Sequence, residues 1–430
     1  MDLLEYRALA DKLFADIRAL SFDGVGVTRE SYGRGENAAC DYLRDFALAQ
    51  GLAVEADAAA NLVIRDPDVD SATPAVWIGS HIDSVPQGGN FDGLAGIVCG
   101  LLCVLARRKA GGGKSPPVRT IAFRGEESAW FGKAYMGSGA LLGKLEAADL
   151  ELRQRSTGQT LGECMAAAGA DVERIRRQEV LFDKSKVRAY LELHIEQGPV
   201  MVAREWPLAV VSGIRGNVRH NRIECVGDAQ HSGVVPRWLR HDAVFAVSDL
   251  IMRLDQHWRE LLERGTDLVV TAGIMQTDAA EHSISRIPGH VAFSLEARSK
   301  SIDSLEGFYQ LAQAEMAAVA RERGVAFRPD RRLLSAPATM DAHIAGLLDA
   351  ACAALNVPHD VLPSGAGHDA SLFANAGIPS GMLFVRNQNG SHNPNEAMDM
   401  GDFMLGVQAM SDAIERLSQE PAAVPASGRP

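Results

Sequence analysis

The chain has 430 residues, 47% hydrophobic and 23% charged, the balance of a water-soluble globular protein of two or three domains. A net charge of −12 argues against a nucleic-acid partner, because phosphate binding needs clustered Lys and Arg. The six cysteines (Cys40, Cys99, Cys103, Cys164, Cys225, Cys352) show neither CxxC nor framework spacing and read as buried free thiols of a reducing compartment.

The segment MDLLEYRALADKLFADIRAL is an amphipathic helix with charges throughout, unlike a signal peptide. The longest apolar stretch, Leu94 to Ala106, falls short of the roughly 20 residues a bilayer span needs, so a cytoplasmic protein with no membrane partner is expected. Pro74–Ser80 is an apolar strand, followed by a Gly-rich loop and a helix from Gly93 to Arg108. Val118–Phe123 and Lys186–His194 are further strands. Strands alternating with helices predict an α/β domain with a largely parallel, buried sheet, whose functional groups gather at the carboxyl ends of strands.

From about Ser212 the texture changes. Strand Gly216–Val226, helix Arg240–Arg264, strands near Leu268–Ile274 and Gly289–Ala297, helix Ser304–Arg323 and strand Ala326–Arg328 form one inserted α+β layer. Helix Ala342–Leu355 and strand Gly381–Val385 then resume the first texture. The expected division is 1–211 for the first part of the α/β domain, 212–329 for the insertion and 330–418 for the second part. A Pro/Ala/Ser-rich tail, 419–430, is expected to be disordered.

Chemistry-bearing residues cluster after the strands. The loop Gly79–Gly93 (GSHIDSVPQGGNFDG) offers His81, Asp83 and Asp92, and imidazole with carboxylate suits Zn, Mn, Co or Ni. Arg124–Phe131 (RGEESAWF) carries Glu126 and Glu127 beyond an apolar strand. Leu191–Pro199 (LELHIEQGP) ends a strand on His194 and continues through Glu196 and Gln197. Gly390–Glu396 (GSHNPNE) puts His392 in a polar loop. The insertion adds His231 in a turn and Arg298 after a strand, and Pro363–Asp369 (PSGAGHD) sets His368 among Gly365 and Gly367. Singly, each has a plain structural explanation: a capping Asp, acids at a helix N-terminus, a packed His, a Gly turn.

Together GSHIDSVPQGGNFDG, EESAWFG, LELHIEQGP, HSGVVPRWLRHDA, IPGHVAFSLEARS, GHDA and GSHNPNE, in this order, resemble the M20 metallohydrolase family. Within it they resemble the hydantoinase/carbamoylase amidases, which include N-carbamoyl-L-amino acid hydrolases, allantoate amidohydrolases and β-ureidopropionases. The resemblance implies a metallopeptidase-like catalytic domain with an inserted, ferredoxin-like dimerisation domain in a homodimer. It implies two divalent ions per subunit, with Asp92 bridging, His81 and His194 on one ion, and Glu127 and His392 on the other. Glu126 would be the general base, and Asp83 would hold the His81 imidazole. His231 would stabilise the oxyanion, reaching into the neighbouring subunit. Arg298 would bind the substrate carboxylate, and Gln197, Gly365, Gly367 and His368 would line the pocket. The implied substrate is a small ureido or amide compound bearing a carboxylate. Peptidase relatives carry a carboxylate in place of His194, so an imidazole there points to the amidase side.

The chain departs from the family pattern at Trp130, where Arg is frequent, at Val234–Arg237, where carbamoylases read TTPM, and at Ser285–Arg286, near His282, where an Asn is common. Besides a carbamoylase, an allantoate amidohydrolase, an aminoacylase or dipeptidase, and a non-catalytic binding protein of the same fold stand as alternatives.

Overall fold

The apolar runs separated by Gly-rich and polar turns form the middle of a nine-stranded mixed sheet in the computed structural model, which describes residues 3–111 and 116–418. Four strands run parallel, in the order Val118–Phe123, Ala75–His81, Val187–Ile195, Ser380–Val385. Nearly every residue along them is buried, as expected where both faces of a parallel sheet are covered. Antiparallel strands flank them: Leu62–Arg65 and Ala53–Ala56 on one side, Leu208–Ile214 on the other. These flanking strands are too short or too close to the insertion to stand out by periodicity.

Helix Leu94–Lys109 is the main cover of the sheet, with Leu94 to Val104 buried. It sits close because Gly96 carries no side chain: a Cβ there would lie 2.5 Å from the Leu193 carbonyl oxygen. Cys99 and Cys103 pack into its core face, and all six cysteines are free and buried. Helices Arg7–Ser21, Arg34–Ala49, Ala342–Ala354 and Met400–Ser418 complete the hydrophobic core. The tail 419–430 lies outside the described residues.

The chain forms two compact units, one up to Ser212 and from Thr339 onward, the other Gly213–Ala338. The second unit ends at Ala338, later than the expected 329, because Leu333–Ser335 still pairs with Gly216–Val226. Its sheet runs Met275–Thr277, His290–Ser299, Gly216–Val226, Ala326–Pro329, all antiparallel. With helices Ala243–Glu263 and Ile302–Arg323 this is a β-α-β-β-α-β arrangement. Asp242 and Ser301 cap the two helices through their side-chain oxygens. The strand expected over Leu268–Ile274 is instead Val269–Thr271 followed by Met275–Thr277. Among the described residues, no helix is long and apolar enough to cross a membrane.

Candidate metal centre

The carboxyl ends of the four parallel strands converge on one set of side chains. His81 closes its strand level with Phe123, and His194 stands opposite Phe384. Glu126 and Glu127 follow Phe123 within a turn, and His392 lies in the loop after Val385. Beyond His81 the chain loops to Gly93, which adopts φ +66°. A Cβ on Gly93 would fall 2.4 Å from the His81 carbonyl oxygen and 2.6 Å from its ring, so glycine is what lets the next helix start against the imidazole.

Asp92 is shared. Its Oδ1 lies 3.2 Å from Nε2 of His81 and 3.2 Å from Nε2 of His194. Its Oδ2 lies 3.5 Å from Nε2 of His392, which in turn is 3.2 Å from Glu127 Oε1. Two ligand-type groups result, His81–Asp92–His194 and Asp92–Glu127–His392. All five residues are buried except His392, whose side chain is 52% exposed.

The donor set fits a cation. Nδ1 of His194 bonds the Ile195 carbonyl at 2.9 Å, and Nδ1 of His81 the Asp83 carbonyl at 3.1 Å. A carbonyl only accepts, so both Nδ1 atoms carry hydrogen and, in a neutral ring, both Nε2 atoms are lone pairs. They face Asp92 Oδ1, a buried oxygen with no hydrogen-bond donor. Only the Gly93 N–H, 3.1 Å from His194 Nε2, offers a hydrogen. Acceptors converging in this way call for positive charge. Without an ion the imidazoles supply it: burial opposes charging, but the Asp83 and Asp92 carboxylates outweigh it for His81, and Asp92 does so for His194, so both sit above the usual imidazole range. His392 is pushed up to about 9, chiefly by its hydrogen bond to Glu127.

A third group, Glu192–His194–His368, is satisfied from within the protein. Glu192 accepts from Ser80 Oγ at 2.6 Å and from the Ala370 N–H at 2.9 Å. His368 lies 1% exposed, its Nε2 on the Ser364 hydroxyl at 2.8 Å and its ring edge-on to His194 at 4.5 Å. His368 is thus buried against His194.

The turn carrying the two glutamates is pinned by buried carboxylates. Glu36 accepts from the Gly125 N–H at 2.8 Å, and Asp83 accepts from the Glu126 and Glu127 N–H groups at 3.0 and 3.1 Å. Asp83 also takes the Ser31 hydroxyl at 2.6 Å and lies 3.4 Å from His81 Nδ1. Burial, reinforced by the charges of Glu127 and Asp369 and resisted by His81, raises the Glu126 carboxyl well above the ordinary range. A carboxyl raised in this way keeps its proton to higher pH than an exposed one.

Gln197, held at φ +62°, donates from Nε2 to Asp92 Oδ2 at 2.7 Å. Gly367 has no room for a side chain, since a Cβ would lie 1.6 Å from the Tyr135 hydroxyl, and Gly365 is exposed in the same loop. Trp130 is buried and donates its indole N–H to the Ser84 carbonyl at 2.7 Å.

In the second unit, His231 is exposed and its short strand pairs with Arg286–Ile287. The Ser232 N–H bonds the Ser285 carbonyl at 2.8 Å, so the family departure at 285–286 shares one ribbon with His231, and that at 234–237 follows in the turn after it. Arg298 pairs with Glu296 of its own strand, at 3.0 Å from Nε. Sequence reasoning passed over Glu36, Ser391 and Glu396. For the last two, membership in the His392 loop was the available signal; Glu36 has none.

A family model described as peptidase family M20/M25/M40 matches residues 77–416. Over 395 residues the chain is 33% identical to the N-carbamoyl-L-amino acid amidohydrolase of Geobacillus stearothermophilus, covering 92% of this chain and 94% of that protein. It is 28% identical over 371 residues to the allantoate amidohydrolase of Escherichia coli, covering 86% and 88%. Among solved structures, an amidase of the hydantoinase/carbamoylase family from Burkholderia multivorans matches with a TM-score of 0.83 at 26% identity, covering 96% of this chain and 98% of that one.

Proposed function

The chain belongs to peptidase family M20/M25/M40, on its hydantoinase/carbamoylase amidase branch, and we propose from that premise that it is a metal-dependent amidohydrolase of ureido compounds. Its substrate is an N-carbamoyl-L-amino acid or a close analogue with a carboxylate. The observation that carries this reading is Asp92, one carboxylate between two imidazoles on one side and Glu127 with His392 on the other.

His81, Asp92 and His194 would hold one divalent ion, and Asp92, Glu127 and His392 a second; Zn, Mn, Co and Ni all suit these ligands. Bound there, the ions would polarise the substrate carbonyl and acidify water. The chain's own groups do the rest. Glu126, fixed by the Asp83-capped turn, takes a proton from the attacking water and returns it to the leaving nitrogen as the C–N bond breaks. Gln197 holds Asp92 Oδ2 and borders the pocket with Gly365 and Gly367. His368 backs His194. A neutral ligand at His194, in place of a carboxylate, leaves the site more positive and favours the poorly electrophilic ureido carbon.

The second unit contributes His231 as oxyanion donor and Arg298 as carboxylate binder, the latter exchanging Glu296 for substrate. That unit is also the dimer-forming part of a homodimer, supported by exposed Phe245, Met252 and Met275, and the proposed location is the cytoplasm. Allantoate is the alternative substrate, supported by the names of two relatives, the Escherichia coli allantoate amidohydrolase and a probable allantoate deiminase of Oryza sativa subsp. japonica.

Ammonia release from N-carbamoyl-L-amino acids and allantoate, beside hydrolysis of N-acyl amino acids and dipeptides, tests the proposal. Ureido turnover that falls about 10²–10⁴-fold in Glu126→Gln, with metal content kept, is expected. Turnover confined to acyl or peptide bonds would overturn it.

A further inference from the structure

The loop that carries His392 touches the loop that carries Asp92 through a residue with no assigned role. Glu396 is 8% exposed. Its Oε1 accepts from the N–H groups of Phe91 at 2.8 Å and Asp92 at 3.2 Å. Its Oε2 lies 2.6 Å from Ser391 Oγ, and that hydroxyl lies 2.5 Å from Asp92 Oδ2. The backbone and the side chain of Asp92 are thus both tied to the segment 391–396. Gly89 makes the approach possible, because a Cβ there would lie 2.1 Å from the Glu396 carboxyl carbon. Within the same segment His392 is held at φ +59°, which aims Nε2 at Asp92 and Glu127.

We propose that Glu396 and Ser391 form a clamp that registers the His392 loop against Asp92, and so sets the affinity for the cation shared by Asp92, Glu127 and His392. Glu396 is a positioning residue: it orients a ligand through that ligand's own amide and through a bridging hydroxyl. Partners of this kind typically change metal affinity by about 10–100-fold. The inference rests on the metal-centre reading above.

Calorimetric titration of Zn²⁺ or Mn²⁺ into the full, chelator-stripped chain tests it without reference to turnover. Two binding events are expected for the unsubstituted protein. Glu396→Ala should weaken the event at Asp92, Glu127 and His392 by about 10–100-fold, and the other, which shares only Asp92 with it, by less. Glu396→Gln should restore most of the loss, since its Oε1 still accepts both amides and its Nε2 donates to Ser391. Ser391→Ala keeps the backbone contacts and removes only the hydroxyl; it should weaken the same event and serves if Glu396→Ala fails to fold. Unchanged affinity in Glu396→Ala, or in Ser391→Ala where the former does not fold, overturns the clamp while leaving the metal centre standing. No uptake by the unsubstituted chain overturns both.

Discussion

Replacing Asp83 separates two roles for one carboxylate. The family resemblance gives it the His81 imidazole, yet its two oxygens are closer to the Glu126 and Glu127 amides, at 3.0 and 3.1 Å, than to His81 Nδ1, at 3.4 Å. The imidazole has a second anchor in the Asp83 carbonyl at 3.1 Å, which any substitution keeps. In Asp83→Ala two buried N–H groups lose their acceptor, each at about 1–3 kcal/mol. Local opening of the turn should then become easier by roughly 5- to 150-fold per amide. Hydrogen exchange read by mass spectrometry on a peptide covering residues 124–128 should show that acceleration. Asp83→Asn keeps one acceptor oxygen and should give a smaller effect. Hydrolysis should fall in the same order, because Glu126 and Glu127 leave their positions together. If exchange at 125–127 is unchanged while activity is lost, Asp83 acts through His81 alone and the turn argument is wrong.

Other outcomes follow from the same geometry. Gly367→Ala drives a methyl group to 1.6 Å from the Tyr135 hydroxyl and should destabilise by about 1–3 kcal/mol in thermal unfolding; Tyr135→Phe in the same chain should recover part of it. His194→Asp should bind metal but lose ureido turnover, measured by ammonia release, since a carboxylate makes the site less positive; unchanged turnover would remove the charge argument. If His231 acts across a dimer, mixing Glu126→Gln with His231→Ala chains should regain activity, up to about a quarter of the sites in a random mixture being intact; mixed dimers without activity count against it.

Much of the candidate site was legible because His81, His194 and the Glu126–Glu127 turn stand where apolar strands run out. A strand buried on both faces must be apolar, so His81 and His194 at the ends of Ala75–His81 and Val187–Ile195 stand out against their own strands. The parallel sheet and the insertion followed from the alternation of textures. The supports did not. Glu36 reaches Gly125 across 89 residues, and Glu396 reaches Asp92 across 304, contacts that leave no local period. His368 sits in a Gly-rich loop, and its contact with the His194 ring leaves no local signal in the sequence. The strand Ala53–Ala56 is partly exposed, with pairing supplied by Leu62–Arg65, so its own residues carry little hydrophobic signal.

Asp92 shared by two ions that make a ureido carbonyl hydrolysable is the feature on which the proposed reaction depends. Stepwise return of Zn²⁺, Mn²⁺, Co²⁺ or Ni²⁺ to the chelator-stripped chain, with ammonia release from an N-carbamoyl-L-amino acid followed at each step, tests it directly. No turnover is expected without metal, then a rise that levels off at two equivalents per chain. Full turnover by the stripped chain, or no ureido turnover with any of the four metals, would contradict it.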